Sequence, residues 1–221
     1  STVKANTATG FSIVTYTGNG TSGATVGHGL GVAPSMMIVK VRNSGIAHDW
    51  RVYHSALGNT KNLQLNLTAS VQTTSATWNN TSPSSTVFTL GSGGATNENG
   101  TNLVAYCFAE VAGYSKFGTY AGNGSAGNSV TGLGFQPAWL MIKCSSTAST
   151  PWVMYDNTRE PDNDNNDLVL QADNSSAELD GGGTTRAVTF DSDGFTLDTT
   201  YGGNNGSGRT YIYMAFADTA D

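Results

Sequence analysis

Tyr16-Thr17-Gly18-Asn19-Gly20, then Leu30-Gly31-Val32-Ala33-Pro34 and Ser35-Met36-Met37-Ile38-Val39-Lys40, returns later in the chain as Tyr120-Ala121-Gly122-Asn123-Gly124, Leu133-Gly134-Phe135-Gln136-Pro137 and Ala138-Trp139-Leu140-Met141-Ile142-Lys143. Tyrosine to proline spans 18 residues in the first occurrence and 17 in the second, and proline to lysine 6 in both. Trp50-Arg51-Val52-Tyr53 and Trp152-Val153-Met154-Tyr155 follow in the same order. Weaker matches join Asn62–Leu65 to Asp167–Leu170, Val87–Leu90 to Gly194–Leu197, and Tyr106–Glu110 to Met214–Asp218. Self-similarity of this kind marks a duplicated structural unit. It divides the 221 residues into an extension at 1–9, a first repeat at 10–112 and a second at 114–221. The connection Val111-Ala112-Gly113-Tyr114-Ser115 is short, which predicts a stiff tandem.

Each anchor reads as β-structure. Phe11–Tyr16 and Met36–Val41 are short runs of apolar, aromatic and β-branched residues bounded by Gly or Pro, as strands are. Gly-Asn-Gly supplies residues that tolerate positive φ, so it reads as a tight reversal. Proline lacks an amide donor, so Leu-Gly-x-x-Pro reads as the entry to a strand. Asp49–His54 alternates, with Trp50, Val52 and His54 on one face and Arg51 and Tyr53 on the other, only one of which is expected to face a core. Strands are predicted near 11–17, 24–28, 35–42, 49–54, 62–67, 73–78, 86–90 and 102–110, about eight per repeat. Short strands separated by Gly, Ser, Asn and Thr turns predict an all-β protein: two tandem antiparallel β-sandwiches, jelly-roll-like, with little helix.

Composition narrows the function. Hydrophobic residues make up 38% and charged residues only 12%, so Ser, Thr, Asn and Gly must carry solubility. The net charge is −6 with cations scattered, which speaks against a nucleic-acid groove. No apolar run is long enough to insert in a bilayer, and Ser1 opens no leader pattern, so the sequence reads as a mature or excised soluble fragment. Cys107 and Cys144 fall one in each repeat; Cys107 reads as a small core residue and Cys144 as the end of a strand.

Candidate chemistry is sparse. Hydrolysis of a glycoside needs two facing carboxylates. The densest acidic stretch, Glu160-Pro161-Asp162-Asn163-Asp164-Asn165-Asn166-Asp167, reads either as a solvated turn or as a calcium loop through Asp162, Asp164 and Asp167, although it lacks the glycine and terminal glutamate of the usual pattern. No other cofactor is expected. His28, His48 and His54 all lie in the first repeat without the spacing of a zinc site, and His28 reads as a turn residue. No Gly-x-Ser-x-Gly elbow is present, and the glycine runs lack the lysine of a phosphate loop. The chain is therefore expected not to be an enzyme. Sugar recognition uses aromatics and amides on sandwich loops. Residues shared by the repeats, such as Trp50/Trp152 and Tyr53/Tyr155, read as fold determinants. The repeat-specific loops Trp78-Asn79-Asn80 and Tyr201-Gly202-Gly203-Asn204-Asn205 read either as ligand contacts or as loop plugs.

The ordered set Tyr16–Gly20, Leu30–Pro34, Lys40 and Trp50–Tyr53, repeated as Tyr120–Gly124, Leu133–Pro137, Lys143 and Trp152–Tyr155, resembles an uncharacterised domain. That domain recurs, often in tandem, in virion structural and tail-fibre proteins of marine and freshwater tailed phages. The resemblance implies a module displayed on a virion surface, hence extracellular, and its leading role is the receptor-binding part of a tail fibre. Its implied partners are other virion proteins and a host-surface glycan or protein, with a homotrimer as the expected assembly. The alternatives are an architectural decoration domain without a host ligand and a carbohydrate-binding module of a depolymerase. The resemblance carries no catalytic residues.

Overall fold

Pro34 has no amide hydrogen to give a ladder, and the strand it introduces begins two residues later, at Met36. The computed structural model describes residues 1–160, 166–180 and 185–218. It divides into two units, Ser1–Asn66 with Val71–Val111, and Leu67–Ser70 with Ala112–Asp221.

The first unit contains β1 (Thr2–Asn6), β2 (Phe11–Thr17), β3 (Thr25–Gly27), β4 (Met36–Val41), β5 (Arg51–His54), β6 (Lys61–Gln64), β7 (Gln72–Thr73), α1 (Ser75–Trp78), β8 (Val87–Thr89), α2 (Gly94–Asn97) and β9 (Asn102–Phe108). Seven strands form one antiparallel sheet in the order β1-β2-β9-β4-β5-β6-β7, and β3 pairs with β8. Val26 and Phe88 of the small sheet share a core with Val14, Tyr16, Met37, Val39 and Tyr53 of the large one. Tyr16 meets Phe88 edge-on at 6.0 Å, and Tyr53 meets Trp78 at 5.8 Å. Each such aromatic pair contributes about 0.5–1.5 kcal/mol beyond the area it buries.

The second unit contains β10 (Ser115–Ala121), β11 (Asn128–Thr131), β12 (Pro137–Cys144), β13 (Trp152–Asp156), β14 (Leu168–Gln171), β15 (Leu179–Asp180), β16 (Val188–Asp191), β17 (Gly194–Leu197) and β18 (Thr210–Ala217). Its large sheet runs β10-β18-β12-β13-β14-β15 and its small one β11-β17-β16. From β2 to β7 and from β10 to β15 the strand order is the same, with the last long strand between the first and the third. The protein is all-β and of sandwich type, each unit pairing one large with one small sheet.

Three local expectations change. Residues 1–9 are more than an extension: β1 pairs with β2 over five positions, from Thr2 opposite Thr15 to Asn6 opposite Phe11, and Asn6 Oδ1 accepts the amides of Ala8 and Thr9 in the turn between them. The strand expected at 73–78 is the two-residue β7 followed by α1. The Thr74 hydroxyl caps α1 by accepting from Ala76 N at 3.1 Å, and Asn79 ends it in the left-handed region at φ 51°. Threonine and asparagine are cap formers as readily as strand or turn residues, so pattern alone does not separate the two readings. Both faces of the β4–β5 region are buried, not one, since Val52 and His54 are as shielded from solvent as Tyr53. Two-sided burial also explains the unbroken apolar run Met36–Val39.

Candidate functional site

The shared Tyr-x-Gly-Asn-Gly motif turns out to be a clamp within each unit. The Tyr16 hydroxyl donates to Thr96 O at 2.7 Å, and Tyr120 to Asn204 O at 2.6 Å. Buried Asn97 accepts Asn19 N through Oδ1 at 2.9 Å and donates through Nδ2 to Thr21 O and Gly91 O. Asn205 does the same work in the second unit, accepting Asn123 N at 3.1 Å and donating to Ser125 O and Thr199 O. Gly18 and Gly122 are glycine because of close approach. A Cβ would lie 2.2 Å from Glu98 O in one and 2.3 Å from Gly206 O in the other. Each motif therefore ties the turn after β2 or β10 to the loop that precedes β9 or β18.

The candidate ligand residues separate accordingly. Trp78 is buried in the first core, so its indole is a plug and offers no stacking surface. Asn79 is half-buried and accepts the Ser22 hydroxyl at 2.7 Å; Asn80 is exposed at φ 50°. Tyr201 is half-buried beneath the Arg186 guanidinium, 4.7 Å from its ring centroid. Asn204 is fully buried, donating to the Tyr155 hydroxyl at 2.9 Å. Of these six residues only Asn80 is exposed, and both aromatic rings take the loop-plug arrangement, the other of the two readings. The physical reason is shared: aromatic and amide side chains near a sandwich end are drawn inward to close the core and satisfy backbone groups. Asp162 and Asp164 lie outside the described residues. Asp167 is buried, and Leu168 N donates to Glu160 Oε2 at 2.8 Å. Burial pushes the Glu160 carboxyl up, and the Asp167 side chain beside it adds to the rise. Among the described residues no group of three or more His, Cys, Asp or Glu is placed to hold a metal, and no helix is long and apolar enough to cross a membrane.

The histidines do not converge. His28 is buried in a turn, where Nδ1 accepts Leu30 N at 3.3 Å and Nε2 lies 3.1 Å from Ser84 O; that pairing requires the neutral ring protonated on Nε2. His54 accepts Ala56 N through Nδ1. Only His48 reaches a cleft, paired with Glu98 at 3.2 Å.

That cleft has a volume of about 480 Å³. One wall is built by Arg51 of β5 and Gln72 of β7, and the others by Thr73, Thr74, His48 and the Gly93-Gly94-Ala95 turn entering α2. Arg51 Nη1 donates to Asn62 Oδ1 at 3.0 Å and to Gln72 Oε1 at 3.1 Å, while Nη2 stands 3.7 Å from Asp49. Asp49 is held in turn by Gln64 and Asn66.

Strand register shows what is unusual here. Arg51 lies opposite Gln64, and Asn62 opposite Gln72. In the second unit Val153 lies opposite Gln171, and Val169 opposite Leu179. Arg51, Asn62 and Gln72 thus occupy the places of Val153, Val169 and Leu179. Those three belong to or pack on the second core, where Val188 and Phe190 of β16 join them. The small sheet of the first unit has no third strand. An apolar row closed by a strand in one unit is a polar row in the other, where Arg51 and Gln72 line the cleft and Asn62 is buried and bonded to Arg51.

The sequence match hid this contrast because it set Asn62 against Asp167, both polar. The register is displaced by two residues, and Asn66 corresponds to Asp173: Trp50 N donates to Asn66 Oδ1 at 3.0 Å and Trp152 N to Asp173 Oδ1 at 2.7 Å. A slip of two keeps every side chain on its face, so alternation cannot reveal it.

A model of a domain of unknown function, DUF7483, matches residues 1–220, and the chain belongs to that family. No curated protein and no solved structure matches it.

Proposed function

We propose that this DUF7483 protein is a non-catalytic binding module of a virion surface, the part of a tail fibre that contacts a host-surface glycan or protein. The observation that supports the reading is the cleft of the first unit, where Arg51, Asn62 and Gln72 stand in place of core residues. A sandwich closes more stably with apolar side chains at such positions, each worth about 1.5–3 kcal/mol when buried. Departures from a local rule concentrate where a protein binds something. The charge-poor, Ser-, Thr- and Asn-rich composition and the tandem of similar units suit repeated weak contacts with a cell surface, which become effective when several copies are displayed together. Other virion proteins and a homotrimeric arrangement belong to the same proposal.

An architectural decoration domain is the second reading. It draws on the burial of Trp78, Asn204 and Asn205, which leaves their loops as parts of the framework. Binding of the 221-residue chain to whole host cells and to a glycan array separates the two. The receptor-binding reading expects retention on cells or glycans that is lost when Arg51 and Gln72 are replaced. Absence of binding to every candidate host and glycan would favour decoration.

A further inference from the structure

We propose that the cleft of the first unit is a site for an uncharged saccharide, recognised through its hydroxyl groups, and not for an anion. This rests on the binding-module reading and narrows it to a ligand class. The guanidinium that lines the cleft already faces a carboxylate, Arg51 standing 3.7 Å from Asp49, and the His48 ring beside it lies 3.2 Å from Glu98 Oε2. An incoming carboxylate, sulfate or phosphate would compete with those partners, and the chain as a whole carries −6. A hydroxyl group meets no such penalty, because it donates to a carboxylate and accepts from an amide or guanidinium at once.

The wall supplies that combination in fixed positions. Arg51 Nη1 is held by Asn62 and Gln72, so the guanidinium is oriented before a ligand arrives. Gln72 uses Oε1 to accept from Arg51, which turns its amide NH₂ away from that bond. Thr73, Thr74, Ala76 and Ala95 complete the lining, so that hydroxyl-bearing and apolar residues stand beside the guanidinium and the amide. The volume falls in the range of small-molecule sites. The ordering of the polar groups by one another lowers the entropy lost on binding.

The sister unit supplies the control. Writing its residues into the first unit gives the triple variant Arg51→Val, Asn62→Val, Gln72→Leu, which restores the apolar row; Gln72→Leu alone is a milder change at a half-open edge. The probes are a matched pair, methyl glucoside and methyl glucuronide, together with the methyl glycosides of galactose, mannose and N-acetylglucosamine and inorganic phosphate. They are followed by backbone amide shifts of the ¹⁵N-labelled 221-residue chain. The expected result is saturable shifts at Gln72–Thr74 and Gly93–Thr96 with at least one uncharged glycoside, weaker or absent with glucuronide and phosphate. Gln72→Leu is expected to weaken that affinity about tenfold, and the triple variant to abolish it while retaining the fold by circular dichroism. Preference for glucuronide or phosphate overturns the ligand class and leaves the module reading standing. Host-cell binding that survives the triple variant overturns the site alone. Failure of all sugars and all cells overturns both.

Discussion

At the scale of single residues, the amide of Asn97 and its counterpart Asn205 each join a motif turn to the loop that precedes the last strand. Truncation removes three hydrogen bonds at once and, in the first unit, leaves the buried Gly91 carbonyl without its amide donor. Asn97→Ala and Asn205→Ala are each expected to destabilise by about 2–4 kcal/mol, read as a lower urea midpoint at unchanged slope. Sequence reading singled out Asn205 for a ligand and passed over Asn97, since an amide in a Gly-rich loop looks the same whether it faces solvent or a turn. The signal within reach was that both lie in Asn-x-x-Gly segments at matching distance from the last strand, Asn97–Gly100 and Asn205–Gly208.

Two titrations follow from burial. Burial lowers the His28 pKa, and the Ser84 carbonyl only partly opposes it. The folded state therefore stays neutral while the unfolded chain takes up a proton as the pH falls through about 6.5. Stability attributable to this ring is complete above that pH and declines below it. The denaturation midpoint is expected to fall on acidification, less steeply in His28→Gln, which keeps an acceptor without the titration. Lys143 is buried and bonded to Thr150 O, and to Thr150 Oγ1 at 3.3 Å. Desolvation pulls its pKa from 10.5 to about 8, with Asp173 opposing the drop. Between those values the unfolded chain binds the extra proton, so stability rises with pH across the window, by about 3 kcal/mol in all. Chemical denaturation at several pH values should show that rise in the native sequence and not in Lys143→Met. The thiol of Cys107, pushed up to about 12 by burial, is correspondingly unreactive.

Elements bring a different lesson. β1 covers the edge of β2 through five paired positions, and Val3 packs on the first core. Deleting residues 1–9 is expected to bare that edge, lower thermal stability and promote self-association visible by light scattering. The sequence placed β2, β4, β5 and β9 well because their apolar runs are bounded by Pro, Gly and turn residues. It missed β1, whose residues Thr2–Asn6 are mostly exposed and carry no alternation. It also missed α1, four residues long and defined by two caps. The cleft escaped for a related reason. Which residues of β6 and β14 correspond depends on pairing with β5 and β13, and local pattern is blind to a shift of two. The triple change to Val, Val and Leu is therefore also a stability test. It is expected to lower the urea midpoint modestly, because β7 is an exposed edge with no third strand over it and Asp49 loses its guanidinium neighbour.

On the scale of the whole chain, a low charged fraction and a net charge of −6 suit the proposed reading of contacts made by hydrogen bonds and shape more than by ion pairing. Host-cell retention should accordingly change by no more than about twofold on raising salt to ~1 M, where the Debye length is about 3 Å. A steep loss would indicate a charged receptor. Beyond the added edge strand β1 the order of strands is the same in the two large sheets, yet the small sheets differ by one strand. A strand present in one unit and missing in the other converts equivalent positions from core to cleft.

The sequence alone determined the all-β character and the positions of most long strands, because turn chemistry and apolar runs are local properties. The tertiary structure decided which amides are clamps, which tryptophan is a plug, and where Arg51, Asn62 and Gln72 meet. Those outcomes depend on strand pairing and on what covers each face, and such relations join residues far apart in the chain that no local pattern connects.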